Sequence, residues 1–194
     1  MTDFNIALRE ESAYPATENI IRTIYEASTV VKLKKKEVLI DSGQICRDIF
    51  FVTEGCIRGT IMNSDGLECT VGFGLCGSMI HSAICFTDNL PSFYKFQACC
   101  PTELLRIKKA DCDELILRNH EFCRWLMGAF ELQILFSEMR NENLNGNATI
   151  RYKNLIKIRP EIFNLVPDKM TASYLNISEV HLSRIKKKVL LEGK

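Results

Sequence analysis

The chain has one tryptophan, five prolines and three histidines in 194 residues. It also lacks any uninterrupted apolar run near the ~18 residues of a membrane span. Met1 to Ala13 show no apolar stretch behind a basic start, so they do not read as a secretory signal. The expected location is cytoplasmic, with no membrane partner. An excess of one charge is missing too: 25 Lys/Arg against 24 Asp/Glu leave +1, and this balance names no partner. Nine cysteines are present, but none of their spacings is the C-x-x-C of a zinc or redox site. They read as reduced core thiols, so no metal and no cofactor is expected. His81, His120 and His181 lie far apart in sequence. No nucleophile elbow or phosphate-cradling glycine loop accompanies them, so no catalytic residue is assigned and the chain is not expected to be an enzyme.

The composition, 46% apolar and 25% charged, is that of a globular protein of one domain or two small ones. Charge is unevenly spread along it. Residues 151–194 carry ten Lys/Arg and four Asp/Glu, a net of +6, whereas residues 1–150 carry fifteen and twenty, a net of −5. A basic end on an acidic body points to a polyanion-binding module joined to a second unit.

The hydrophobic pattern divides the chain further. Residues 15–27 read as a helix, with Ile20, Ile21 and Ile24 at helical spacing. From Val30 to Ile107 the period shortens. Strands are predicted at Val38–Ile40, Ile49–Thr53, Cys56–Met62, Glu68–Phe73, Tyr94–Cys99 and Glu103–Ile107, broken by turns at Gly43, Gly55 and Gly66. A short helix is predicted around Ser78–Phe86. Many short strands at this spacing indicate a sandwich, jelly roll or barrel. Helices follow at Lys109–Arg118 and His120–Leu144. In the longer one Phe122, Trp125, Ala129, Leu132, Phe136 and Met139 step 3-4-3-4-3, a heptad seam. Beside it Leu126, Phe130 and Ile134 form a second stripe. So wide an apolar arc needs cover on two sides, one from the roll and one from a second copy of the helix. The seam is therefore the expected dimer interface, the alternative being that both stripes pack within one chain.

Asn141–Asn147 is a polar break and a natural hinge. Beyond it come short helices, and the last two form a helix-turn-helix pattern. Ala172 is small enough for a close helix crossing, and Leu175 and Ile177 flank the turn. Asn176 tolerates the left-handed conformation needed there. Ser178 can cap the final helix, Glu179–Leu191. Leu182, Ile185 and Val189 face inward. Lys169, Thr171, Ser178, Glu179, Val180, His181, Ser183, Arg184, Lys187 and Lys188 are the candidate DNA contacts, for base edges or phosphates.

The glycines at Asp-Ser-Gly43-Gln, Thr-Glu-Gly55 and Asp-Gly66-Leu-Glu, Leu104–Ile107, Arg151-Tyr152, and the run from Met170 through Leu182-Ser-Arg-Ile185 together resemble the Crp/Fnr family of bacterial transcription regulators. The likeness covers about residues 18–190, and in style is closest to the short members common in Bacteroidetes. It implies an α+β fold: an N-terminal jelly roll (double-stranded β-helix) of the cyclic-nucleotide-binding type over residues 1–108, a long dimerisation helix and hinge over 109–146, and a C-terminal winged helix-turn-helix over 147–194. The wing is expected to be short or missing. The partners implied are double-stranded DNA, a second copy of the chain, RNA polymerase and a small-molecule effector. Gly77, Ser78, Met79, His81, Pro91 and Ser92 fall at the effector pocket. Family members that bind cyclic AMP place Glu after the cassette glycine and Arg near the cassette's end; here Ser78 and Ser92 stand in those places. A neutral hydroxyl cannot make a charge-assisted phosphate contact, so cyclic AMP is not expected and the effector is unassigned. Of the base-reading positions Glu179, Val180 and Arg184, only Arg184 keeps the family type, so the operator should differ. The alternative reading is a small-molecule sensor with a vestigial DNA-binding end.

Overall fold

The structure, a computed structural model, describes residues 3–144 and 146–192. Asn145, within the polar break, lies outside them. Two short helices come first: α1 (Phe4–Glu10) and α2 (Glu18–Ala27). Asp3 caps α1 by accepting from the Asn5 amide at 2.8 Å, and Thr17 caps α2 through the Ile20 amide at 3.2 Å. Eight strands follow: β1 (Thr29–Leu33), β2 (Val38–Ile40), β3 (Ile49–Glu54), β4 (Ile57–Met62), β5 (Glu68–Gly74), β6 (Met79–Ile80), β7 (Lys95–Ala98) and β8 (Thr102–Ile107). They form two four-stranded antiparallel sheets, ordered β1-β8-β3-β6 and β2-β7-β4-β5. Helix α3 (Ala83–Asp88) lies between β6 and β7.

Strand β3 shows how the layers are stacked. Its side chains alternate between two faces, and both faces are dry. Phe50 and Val52 join Ile40, Ile57 and Leu104 between the sheets. Ile49 and Phe51 point the other way, into a cluster with Ile20 and Ile24 of α2. That second cluster is closed by the long helix α5 (His120–Leu144), which follows α4 (Lys109–Arg118) and contributes Phe122, Trp125, Leu126 and Ala129.

This placement corrects the dimer seam. Phe122, Trp125 and Ala129 are at most 2% exposed because they cover the chain's own sheet and α2, so they are not available to a second copy. Leu132 is half-buried, and only Phe136 and Met139 of that seam reach the surface. The apolar residues that α5 turns to solvent are Met127, Ile134 and Leu135 as well. The smaller differences have local causes. Helix α1 was not expected, being only seven residues long, yet it buries Phe4, Ala7 and Leu8. Ser78–Phe86 is not one helix: β6 takes its first part, and α3 starts after Ser82.

After the break come α6 (Ala148–Ile158), α7 (Ile162–Leu165), α8 (Asp168–Tyr174) and α9 (Glu179–Glu192). No helix among the described residues is long and apolar enough to cross a membrane.

The β3–β4 turn depends on Gly55. Its φ is +93°, and a Cβ there would sit 2.5 Å from Thr102 Oγ1 and 2.6 Å from the Pro101 carbonyl oxygen. Both the backbone angle and the space exclude a side chain. Gly55→Ala is therefore expected to destabilise the fold by about 3 kcal/mol. A urea titration should show a lower midpoint with an unchanged slope.

Candidate functional site

Two regions bear on function: the α8–α9 pair and a cavity between the roll and the helices.

Helices α8 and α9 are joined by a tight turn. Asn176 takes the left-handed conformation at φ +52°. The Ile177 amide donates to the Ala172 carbonyl at 3.0 Å, and the Asn176 amide to Ser173 at 3.1 Å. Ser178 starts α9, its hydroxyl accepting from the His181 amide at 3.2 Å. Ala172, Leu175, Leu182 and Ile185 are buried together with Tyr152, Leu155 and Ile162. These apolar contacts fix which face of α9 turns outward. On that outward face Ser178, Glu179, Val180, His181, Ser183, Arg184, Lys187 and Lys188 are exposed, and so is Lys169 on α8. Glu179 lies in the first turn, where a carboxylate is favoured by the helix dipole. Lys186 turns sideways and pairs with Asp168. Thr171 is the exception among the candidates. It is fully buried and its hydroxyl has no partner, so it cannot reach a groove and leaves the set.

The second region is a cavity of about 670 Å³. Its floor is the β4–β5 face of the roll, with Ile57, Gly59, Ile61, Val71 and Phe73. Its other walls come from α5, through Gln133, Phe136 and Arg140, and from α6 and its C-terminal end, through Arg151, Asn154 and Arg159. A volume of this size is in the range of small-molecule sites. Of the residues expected at an effector pocket, Ser78, Met79 and His81 line it. Gly77, Pro91 and Ser92 do not. Gly77 lies behind it, against α1, where a Cβ would meet the Ala7 backbone at 2.8 Å. Ser92 is buried in its own turn, its hydroxyl accepting from the Tyr94 amide and donating to the Tyr94 carbonyl. Pro91 faces solvent.

Glu11, Gln133, Arg140, Arg151 and Arg159 are cavity residues that the sequence reading missed. Arg140 Nη2 donates to the Thr70 carbonyl at 3.1 Å, while its buried Nε has no acceptor. Arg159 lies 3.7 Å from the Glu11 carboxylate and 5.6 Å from the Phe136 ring centre. Glu11 also accepts from the Ser78 hydroxyl at 3.1 Å. Burial pushes its carboxyl up, with Arg159 and Ser78 pulling the other way. Gln133 donates to the Met79 carbonyl at 2.9 Å.

All nine cysteines are free thiols, and among the described residues no cluster of His, Cys, Asp and Glu could hold a metal.

The model of the cyclic nucleotide-binding domain family matches residues 30–119. Among curated proteins, none matches the chain. Solved structures do. FixK2 of Bradyrhizobium japonicum superposes with a TM-score of 0.75 at 15% identity, over 86% of each chain. The regulator CLP of Xanthomonas campestris gives 0.71 at 15%, over 91% of this chain and 93% of that one. Catabolite activator protein of Thermus thermophilus gives 0.58 at 15%, over 91% and 85%. The chain has the fold of the Crp/Fnr-type transcription regulators. At these identities the likeness is one of fold, and function must be argued from the chain's own residues.

His81 carries a pH prediction. Its ring packs edge-on against Phe130 and Phe86, and its Nδ1 is buried without a partner. Burial lowers its pKa from 6.5 to about 4. The unfolded chain thus binds the proton more tightly than the folded one. The stability contribution is full above pH 6.5 and is lost as pH falls toward 4. Acidifying from pH 7 to 5 should cost about 2 kcal/mol through this group. His81→Phe should flatten that part of the stability–pH curve, as read by denaturant unfolding at each pH.

Proposed function

We propose that the chain is a homodimeric, DNA-binding transcription regulator of the Crp/Fnr type, without catalytic activity. The observation that carries this reading is the α8–turn–α9 unit, whose outward face presents Ser183, Arg184, Lys187 and Lys188 to solvent while Leu182 and Ile185 hold its inner face. On this reading α9 enters the major groove. Arg184 and the residues of its first turns meet base edges, and Lys169, Lys187 and Lys188 meet phosphates. The roll, residues 1–108, is the effector-sensing unit, residues 109–146 carry the dimer contact, and residues 147–194 carry the DNA contact. RNA polymerase is the further partner such a regulator would engage.

The dimer contact runs along the solvent side of α5. Met127, Ile134 and Leu135 are 58%, 61% and 48% exposed there. A second copy of the same face would cover them under two-fold symmetry and would match a near-palindromic operator. Cyclic AMP is not the expected effector, since Ser78 and Ser92 supply no cation for its phosphate from the roll.

Selection of genomic DNA fragments by the purified protein tests the reading. A palindromic motif is the expected result, with affinity falling steeply as salt rises. Enrichment of nothing, with weak binding to all sequences, would favour a sensor whose DNA-binding end is vestigial. On the selected site Arg184→Ala should cost ~1–3 kcal/mol and relax preference at one position per half-site. Met127→Glu combined with Ile134→Glu should give a monomer in sedimentation velocity. The same variant should lose palindrome affinity by about two orders of magnitude, because each half-site is then bound alone.

A further inference from the structure

The cavity's charge does not fit an empty or purely apolar pocket. Among the described residues that line it, Arg140, Arg151 and Arg159 bring guanidinium groups and Glu11 a carboxylate. His81 adds no charge near pH 7. Arg140 has a buried N–H with no acceptor. Buried donors of this kind are nearly always satisfied in native proteins. Among the described residues Arg159 has Glu11 as its one ion-pair partner, at 3.7 Å, longer than a good charge-assisted hydrogen bond. The remaining wall is apolar and aromatic: Phe73, Phe96, Phe136, Tyr174 and Ile80. Arg140 lies 5.7 Å from the Tyr174 ring centre, so the cationic and aromatic parts of the wall are contiguous.

We propose that this cavity binds a small organic anion with an aromatic-sized apolar body, its charged group held by Arg140 and Arg159 and its body resting on the β4–β5 face of the roll. This rests on the reading of the chain as an effector-responsive regulator and names the chemistry of its effector. None of the three arginines belongs to the roll. Arg140 lies on α5, Arg151 on α6, and Arg159 caps the end of α6. The anion therefore bridges the roll and the terminal helices. Glu11 holds the anion's place at Arg159 when the site is vacant, and an entering anion displaces it.

The test uses two fluorescent probes of almost the same shape, 8-anilinonaphthalene-1-sulfonate, which is an anion, and N-phenyl-1-naphthylamine, which is neutral. Titrations are made with the full chain and with Arg140→Gln, Arg159→Gln and Glu11→Gln. Each arginine variant is expected to weaken the anion at least about ten-fold, the size of one lost charge-assisted hydrogen bond. The neutral probe should bind all four proteins within about two-fold. Glu11→Gln should tighten the anion several-fold. Equal loss of both probes would mean that the arginines only shape the cavity, and would overturn the proposal. So would an anion affinity unchanged in both arginine variants. Should an arginine variant fail to fold, Glu11→Gln decides: weaker or unchanged anion binding sinks the idea. Because the readout involves no DNA, a failure here leaves the DNA-selection result standing, and a failure of DNA selection leaves this one standing.

Discussion

The arrangement of the molecule depends on one shared apolar cluster. Cys56, Leu75 and Cys99 of the roll are buried with Tyr152, Leu155, Ile162, Ala172, Leu175, Leu182 and Ile185 of the terminal helices. The terminal helices are too short to bury a core of their own, and the roll supplies the missing wall. Polar contacts then fix the register. The Thr70 amide donates to the Ser173 hydroxyl at 2.9 Å, and Arg140 reaches back to the Thr70 carbonyl. Phe73 lies 5.5 Å from Tyr174. Strand β5 is thus the seat of α8, and the space left beside that seat is the cavity.

Helix α5 serves both units, in two halves. Up to Ala129 it is part of the roll's core, through Phe122, Trp125 and Leu126. Beyond that point its inner side faces the cavity with Gln133, Phe136 and Arg140. Its outer side leaves Met127, Ile134 and Leu135 largely exposed to solvent. A 3-4 spacing marks any helix that buries one stripe, whether against its own sheet or against a second helix. The spacing of Phe122, Trp125 and Ala129 was therefore read correctly as a buried stripe and wrongly as the dimer stripe. What separates the two cases is the location of the sheet, and spacing along one helix does not contain that.

The same distinction governs how much of the rest was legible. Local chemistry could be read directly. Asn176 in a left-handed turn, Ser178 as a cap, Ala172 at the crossing and the inward Leu182 and Ile185 all follow from residue type and neighbours a few positions away. The β3, β4, β5 and β8 strands followed from alternation and glycine turns for the same reason. Thr171 was misplaced because a hydroxyl on a short amphipathic helix fits either face, and tertiary packing chose the inner one. The cavity was only half legible. Ser78, Met79 and His81 lie in one stretch that the family resemblance marks. Arg140, before the polar break, and Arg151 and Arg159, beyond it, come to the same space from about sixty to eighty residues further on, and no periodicity joins them to the roll.

That separation in sequence has a consequence for control. A ligand shifts a conformational equilibrium only by its differential affinity for the two states. If every contact to an effector came from the roll, the terminal helices would respond only through strain relayed along α5. With the cations on α5 and α6, the charge of an anion in the cavity would be neutralised only while those helices lie against β4 and β5, so its binding and the docking of the helices would be one event. The Arg159–Glu11 pair makes the docked arrangement tolerable without a ligand, because a half-buried cation left unpaired would carry a desolvation cost. Glu11 follows α1, whose seat on the roll needs the bare backbone of Gly77. The cassette glycine, expected at the pocket, acts one layer behind it, holding in place the segment that carries Glu11, the one carboxylate among the described residues lining the cavity.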